Sequence, residues 1–380
     1  MNDPKIDPVI DPMIDPIKEP IKFFLPGPTY VPLDALQAMT QPMVGHRSAG
    51  FKAFYLSLAE RLPKILRTSG DVMVATGSST LIMESAVVSC AAQDVLNLTN
   101  GAFSERWHSI SKSIGKAADK VSAPWGQPID PDVVRSALRR KKYDAVTVVH
   151  NETSTGVLSP LAEIAKVIRE ESDAIFIVDT VSSLAGARVE SDDWGLDVVL
   201  AGTQKAVAVP PGLTLFTLSE RAAERAAKVP NRGFYTDLLR YREKHKEGGF
   251  ITTPAIPLLY ALDVQSNRIV AEGMEARWAR HQQLYERTAQ WAASRGCTYA
   301  SAEGARSVTV SCLYPPEGVD PQAIVKGLAA RGYTIGGGYG DWKPTTFRIG
   351  HMGEVRGGDL EALLAEIDQV LETVAAQAVR

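Results

Sequence analysis

Lys205 occupies a position in the sequence where a lysine could act as a nucleophile. It follows a predicted strand at residues 198–200, lies among small residues, and has no obvious acidic partner nearby in the sequence. Most lysines are solvated, but burial at a strand end would lower the pKa of the amine and make it nucleophilic. A nucleophilic lysine amine attacks carbonyl carbon, so Schiff-base chemistry is our hypothesis for this position.

Two other predicted strands end at, or contain, a charged side chain. Asp179 follows a predicted strand at 174–178. An aspartate at this place either begins a turn or is a buried anion that pairs with a cationic group of a cofactor. Arg348 lies between Phe347 and Ile349 in a short predicted strand. Its guanidinium either binds a carboxylate through two hydrogen bonds or faces water from an edge strand.

Two further segments are candidates for anion binding. Residues 76–80, rich in hydroxyl side chains, join a predicted strand to a predicted helix at 81–92. The N-terminus of a helix suits a phosphate, although Ser and Thr are also ordinary helix N-caps. His46 and Arg47 precede another predicted helix, where they either contact an anionic substrate or form a surface turn.

The elements that must position these residues alternate between strand and helix. Short apolar runs rich in β-branched residues predict strands, with helical patterns between them; these strands are at 71–75, 95–98, 143–149, 174–178 and 198–200. Near-continuous apolar strands suit a parallel sheet that is buried on both faces. The predicted fold class is therefore α/β, with right-handed crossovers and with the chemistry at the carboxyl ends of the strands.

The chain divides into three predicted parts. A long helical region at 254–294 precedes a second, smaller α/β unit, so we predict a large domain at 23–265 and a small domain at 266–380. Residues 1–22 repeat Asp-Pro every four residues, a pattern that blocks both helix and central strand. This arm is predicted to be disordered or extended; an arm lying across a partner subunit is the alternative.

Composition limits the function further. The formal charge is −3, from 41 basic and 44 acidic residues, which argues against a nucleic-acid binder with a broad basic face. Three scattered cysteines, Cys90, Cys297 and Cys312, predict neither a disulfide framework nor a metal site. No apolar run approaches the ~18–20 residues of a membrane helix, and the N-terminus lacks a signal-peptide pattern. We therefore predict a cytoplasmic protein with no membrane partner.

Taken in order along the chain, these segments resemble the class V aminotransferases, and within them the alanine–glyoxylate and serine–glyoxylate group. The resemblance covers about residues 23–375. It is carried by residues 25–29, 45–48, 100–103, 150–156, 178–183, 194–197, 202–205 with the following Pro210-Pro211-Gly212, and 348–350. It implies the type I fold of pyridoxal-phosphate enzymes, with a mainly parallel, seven-stranded sheet between helices and a smaller C-terminal α/β domain.

The resemblance also implies roles for individual residues. Lys205 matches the catalytic lysine that binds pyridoxal 5′-phosphate as a Schiff base, and Asp179 matches the acid that pairs with the ring nitrogen. Arg348 matches the clamp for the substrate α-carboxylate. The other implied cofactor contacts are Ser78, Ser79, Thr80, Phe103, Thr153, Val181, Gln204, Thr252 and Thr253, and the other implied substrate contacts are Gly27, His46 and Arg47.

The implied reaction is a ping-pong transfer of an amino group from a small amino acid, serine or alanine, to a 2-oxo acid such as glyoxylate or pyruvate. Thr252 and Thr253 would reach the cofactor of a neighbouring subunit, which implies a homodimer with shared sites. Phosphoserine aminotransferase is the alternative, because that family shares the pair His46 and Arg47. A cysteine desulfurase is disfavoured because Gln204 stands where such enzymes have His. A non-catalytic relative is disfavoured because Lys205, Asp179 and Arg348 are all present.

Overall fold

The computed structural model describes residues 20–378, so residues 1–19 of the Asp-Pro arm lie outside the described residues. The strands within this range are β1 Phe23–Phe24, β2 Val72–Thr76, β3 Asp94–Thr99, β4 Ala117–Ser122, β5 Ala145–Val149, β6 Asn151–Glu152, β7 Val157–Leu158, β8 Ile175–Asp179, β9 Val198–Gly202, β10 Leu213–Thr217, β11 Thr298–Tyr299, β12 Val310–Tyr314, β13 Thr334–Gly337 and β14 Phe347–Gly350.

The helices within the same range are α1 Leu33–Ala38, α2 Ala49–Ala59, α3 Leu62–Leu66, α4 Ser79–Cys90, α5 Ala102–Ser113, α6 Pro131–Arg140, α7 Leu161–Glu171, α8 Glu220–Lys228, α9 Leu238–Lys246, α10 Ile256–Glu272, α11 Met274–Ser294, α12 Pro321–Ala329 and α13 Gly357–Ala378. A short 3-10 turn lies at Gly340–Trp342. None of the helices in the described part of the chain combines the length and the apolar character that crossing a membrane requires.

Seven strands form the central sheet, in the order β2-β10-β9-β8-β5-β3-β4. Only β10 runs antiparallel to its neighbours, β2 and β9, while the other pairs are parallel. The predicted α/β fold with a mainly parallel sheet is confirmed. Because the parallel strands share one direction, β8 and β9 end at the same edge, and the chain places Asp179 and Lys205 there.

Both faces of this sheet are buried, as the apolar runs predicted. Successive residues of a strand point to opposite faces. Accordingly, Phe176 and Val178 of β8 join one apolar core, whereas Ile175 and Ile177 join another. Helices therefore cover both faces of the sheet.

A second sheet of five strands has the order β1-β13-β14-β12-β11 and packs its own core, which includes Phe347 and Ile349 of β14. Its first strand comes from the start of the described chain, since β1 pairs in parallel with β13. The predicted boundary at 265 falls within α10, and the long helical region breaks at Gly273, where φ is +80°. The division into domains at 265 stays a prediction.

Candidate functional site

The polar cavity at the carboxyl edge of the central sheet collects most of the predicted site residues. It has a volume of about 270 Å³. Its walls come from the ends of β5, β8 and β9, from the start of α4 and α5, and from the segment that precedes α1. The predicted residues that line it are Gly27, Ser78, Ser79, Thr80, Phe103, Thr153, Asp179, Val181, Gln204 and Lys205.

The N-terminus of α4 forms one end of this cavity. Ser78 is the N-cap residue by its extended backbone, yet its side chain makes no capping hydrogen bond. The Ser79 hydroxyl is buried and has no hydrogen-bond partner among the described residues. Because the first turn of a helix also leaves backbone N–H groups unpaired and carries partial positive charge, this end suits a phosphate.

Gln204 lies beside that helix end. A β-carbon on Gly202, the last residue of β9, would come within 2.6 Å of the Ser79 hydroxyl oxygen and 2.5 Å of the Gln204 amide oxygen. The missing side chain at Gly202 therefore leaves room for both polar groups over the end of the strand. Two of the predicted phosphate contacts are thus neighbours in space, although they are far apart in sequence.

Asp179 is a buried acid, with 6% of its surface exposed. Burial raises its pKa to about 7, and the hydrogen bond that it accepts from the backbone N–H of Val181, at 2.7 Å, offsets only part of that effect. Within residues 20–378 no ion pair engages Asp179. A carboxylate that is costly to ionise in this place suits a cationic partner, such as the protonated nitrogen of a pyridine ring.

Lys205 is buried in the same cavity. Burial, and then the positive charge of Arg348, lowers the pKa of its amine to about 8. The amine donates a hydrogen bond to the carbonyl oxygen of Pro26. Its uncharged, nucleophilic form is therefore far more populated near neutral pH than that of a solvated lysine.

A second compartment, of about 350 Å³, adjoins the first; its wall includes Gly27, Phe103, Thr153 and Lys205, which also line the first. Arg348 stands in this compartment. Its Nε donates to Gly337 O at 2.8 Å and its Nη1 to Thr153 O at 3.0 Å, so these backbone contacts orient the guanidinium. The guanidinium also lies 5.5 Å from the centre of the Tyr339 ring, while Nη2 donates no hydrogen bond to the described residues and is available to a carboxylate.

Four predicted site residues line neither of these two compartments. Arg47, Thr252 and Thr253 are exposed and His46 is half-buried; none of them belongs to either wall. Their predicted contacts to substrate and cofactor are therefore not formed by the described part of a single chain.

Sequence reasoning missed Arg106, Asn151 and Ser182, which also line the first compartment. Arg106 lies one turn after Phe103 on α5 and places its guanidinium 5.0 Å from the centre of that ring. Helical spacing from Phe103 could have found it. Asn151 lies two residues beyond the end of β5 and donates to Ser182 O at 3.2 Å; the strand-end rule that selected Asp179 could also have found it.

These features fit pyridoxal phosphate on grounds of the structure alone. A helix N-terminus with a buried, unpartnered hydroxyl suits the phosphate, the raised pKa of Asp179 suits a ring cation, and the lowered pKa of Lys205 suits an aldehyde. A phenyl ring at Phe103 stands in the wall beside Lys205, where it can stack on an aromatic ring.

Comparison with known proteins agrees with this chemistry. The family model described as aminotransferase class V matches residues 62–358. The chain is 38% identical over 357 residues to an uncharacterised aminotransferase of Methanocaldococcus jannaschii, covering 92% of each chain. It is 33% identical over 346 residues to the serine–glyoxylate aminotransferase of Methylorubrum extorquens, covering 87% of this chain and 86% of the relative.

A solved structure gives the same result. The alanine–glyoxylate aminotransferase of a Nostoc species superposes with a TM-score of 0.87 at 29% identity, covering 93% of this chain and 96% of that one. Sequence family, fold and site chemistry therefore agree. The chain belongs to the class V aminotransferases and is a transaminase that uses pyridoxal phosphate.

Proposed function

We propose that the protein transfers an amino group from serine or alanine to a 2-oxo acid such as glyoxylate or pyruvate, by a ping-pong reaction. The observation that carries this proposal is that Arg348 and Lys205 line one compartment, so a carboxylate held by the first presents its α-carbon to the second. The similarity to a serine–glyoxylate aminotransferase supports the choice of substrates. In the first half-reaction the donor amino acid gives up its amino group and leaves as a 2-oxo acid. In the second, another 2-oxo acid binds, accepts that amino group and leaves as an amino acid.

The cofactor, when bound, supplies an aldehyde and an electron-withdrawing ring. We propose that Lys205 holds the aldehyde covalently and that Asp179 holds a proton on the ring nitrogen. Ser78, Ser79, Thr80 and Gln204 would bind the phosphate at the start of α4, with Val181, Phe103 and Thr153 along the ring.

The substrate side relies on two groups of this chain. Arg348 binds the α-carboxylate, and since the same carboxylate is present in the amino acid and in the oxo acid, one clamp serves both half-reactions. Lys205, once its amine is free, carries a proton to and from the α-carbon. The low pKa of that amine suits this role near neutral pH.

We further propose a homodimer with shared sites. Thr252 and Thr253 are exposed and lie outside the compartments of their own chain, which is the arrangement expected of residues that serve a neighbouring subunit's cofactor. His46 and Arg47 lie outside them in the same way. A dimer would bring these residues to a site that a single chain leaves incomplete.

The cysteines argue against the desulfurase alternative. A desulfurase needs a reactive thiolate, but Cys90, Cys297 and Cys312 are all buried. Burial raises the pKa of the Cys297 and Cys312 thiols to about 11 and that of Cys90 to about 12. Cys297, which follows the turn at Gly296, is 5% exposed. Thiolates are therefore scarce at neutral pH.

The proposed substrates are tested by a donor and acceptor panel on the cofactor-loaded protein. Serine or alanine with glyoxylate or pyruvate should give the highest kcat/KM. If glutamate with 3-phosphohydroxypyruvate is far more efficient, the phosphoserine alternative replaces this proposal. If no amino acid changes the absorbance of the bound cofactor, the assigned substrates and the residue roles are wrong.

The role of Lys205 is tested separately. Borohydride reduction of the loaded protein should fix the cofactor on the peptide that contains Lys205, as read by mass spectrometry. The matched variants are Lys205→Ala, which should take up no covalent label, and Lys166→Ala on the exposed face of α7, which should be labelled like the wild type. Label on another lysine would contradict the assignment.

A further inference from the structure

Arg277, on α11, is a fully buried arginine that lines neither compartment of the site, with 0% of its side chain exposed. Its Nε donates to Ala185 O at 2.9 Å, and its Nη2 donates to Ala206 O at 2.7 Å and to Gly353 O at 3.3 Å. The same guanidinium forms ion pairs with Glu272 at 2.6 Å and with Glu354 at 2.9 Å. One side chain thus binds the backbone of three separate loops.

Each of these loops follows a residue of the proposed site. Ala185 lies in the loop after β8, which ends at Asp179, and Ala206 follows Lys205 directly. Gly353 lies in the loop after β14, which carries Arg348. The first two loops belong to the central sheet and the third to the second sheet. Arg277 therefore joins, through a single planar group, the loops that follow the acid, the lysine and the carboxylate clamp.

The backbone of these loops shows why they need such a connection. Ala185 and Ala208 have φ values of +62° and +59°, a left-handed conformation that costs an alanine free energy. Gly353 packs against Ala208, whose β-carbon would be 3.3 Å from a β-carbon on the glycine. The Gly353 N–H donates to His281 Nε2 at 3.1 Å, so α11 holds this loop from two side chains.

Arg277 is not required to neutralise the nearby acids. Glu272 is also paired with Arg280, at 2.6 Å, and with Arg356, at 3.1 Å. Glu354 is also paired with Arg356, at 3.2 Å. The contacts to Ala185, Ala206 and Gly353 are what Arg277 adds.

We propose that Arg277 is a positioning residue for transamination, which fixes Asp179, Lys205 and Arg348 relative to one another by holding the loops that follow them. The inference rests on the proposed roles of those three residues. Since catalysis depends on near-attack geometry, a small displacement of the loops should cost activity and cofactor affinity together.

The test compares Arg277→Gln with Arg280→Gln. Arg280 lies on the same helix and pairs with the same glutamate, but the only backbone oxygen of the described residues to which it donates is Val355 O, in the loop after β14, and it contacts neither the Ala185 loop nor the Ala206 loop. In Arg277→Gln, the backbone amides of residues 185–187, of residues 206–208 and of Gly353 should all exchange hydrogen faster than in the wild type. The dissociation constant of pyridoxal phosphate for the cofactor-free protein should rise, and kcat fall, each by roughly tenfold to a hundredfold.

Arg280→Gln should lower the melting temperature and leave cofactor affinity, kcat and the exchange of residues 185–187 and 206–208 unchanged. The proposal is overturned if Arg277→Gln matches Arg280→Gln in cofactor affinity, kcat and exchange of the three segments. If Arg277→Gln does not fold, Arg277→Lys replaces it: a lysine keeps the charge but cannot reach all three loops, so wild-type kcat and cofactor affinity in that variant overturn the proposal. Absence of covalent cofactor at Lys205 in the wild type would instead contradict the proposed function.

Discussion

The backbone of Gly27 lies directly against the side chain of Lys205. A β-carbon on Gly27 would be 2.1 Å from Lys205 Nζ and 2.4 Å from its Cε. The glycine also has a φ of +126°, in the region that side chains rarely adopt. The segment cannot retreat freely, because Thr29 N–H donates to Gln204 O at 3.0 Å and the Thr29 hydroxyl donates to Lys205 O at 2.8 Å. Gly27 therefore sets where the lysine amine can stand.

Gly27→Ala should displace the Lys205 amine and lower kcat by roughly a hundredfold, with less covalent cofactor per chain. Steady-state kinetics and the absorbance of the bound cofactor measure both effects. Gly358→Ala, in the first turn of α13, is the control, since no atom of the described residues lies within 4 Å of its added β-carbon. Equal kcat and equal covalent cofactor content in the two variants would show that the contact between Gly27 and Lys205 does not affect activity.

Ser79→Ala should separate cofactor binding from stability. The Ser79 hydroxyl is buried without a partner, so its removal should leave the cofactor-free protein as stable as the wild type or more stable. The same change should weaken pyridoxal phosphate binding by roughly tenfold, the effect of losing one hydrogen bond to an anion. Urea unfolding and a cofactor titration read the two quantities.

Ser85→Ala, on the same helix, is the control for Ser79→Ala. Its hydroxyl donates to Leu81 O at 2.7 Å and lines no part of the cavity. It should leave cofactor affinity unchanged. A loss of stability without loss of affinity in Ser79→Ala would place the phosphate elsewhere.

Asp179→Asn should stabilise the cofactor-free protein at alkaline pH. The folded-state pKa of Asp179, about 7, lies above its ordinary value of 3.8, so the folded protein binds an extra proton between those two pH values. The free energy of unfolding of the wild type therefore falls, relative to that of the variant, as the pH rises through this window. Above it the burial of the ionised carboxylate opposes folding fully.

Urea unfolding at about pH 5 and about pH 8 measures this effect, and the advantage of Asp179→Asn should widen by at most ~3 kcal/mol between them. The Val181 N–H keeps an acceptor in the variant, because the asparagine oxygen can replace Oδ1. A gap that stays constant or narrows with pH would mean that Asp179 is not a buried, costly carboxylate. Transamination should be lost in the variant at both pH values.

Arg348→Ala should raise KM for the amino acid and for the oxo acid alike, because both carry the carboxylate that Arg348 binds. The loss of a hydrogen-bonded charge predicts an increase of roughly tenfold to a hundredfold. Arg331→Ala, which removes a solvent-exposed ion pair with Glu366, should leave both constants unchanged. A change in only one of the two KM values would place the carboxylate clamp of the other substrate elsewhere.

Much of the site could be predicted from the sequence because strand ends are visible in it. The apolar runs before Asp179 and Lys205 identified two strands, and a parallel sheet brings the ends of its strands to one edge. That single rule placed the acid, the lysine and the start of α4 together. The strand pattern also placed Arg348 on a strand of the second unit. It could not show that the guanidinium of Arg348 reaches Thr153 O, which belongs to the large unit.

Other features follow only from tertiary structure. Strand and helix patterns are local, whereas the contact of Gly27 with Lys205, the pairing of β1 with β13, and the three loops held by Arg277 join residues that are distant in the chain. The pKa values of Asp179 and Lys205 also follow only from tertiary structure, because they depend on how much water the folded chain excludes from each group. The sequence by itself determined which groups are present and on which elements; packing decided how far apart they stand and how easily each gains or loses a proton.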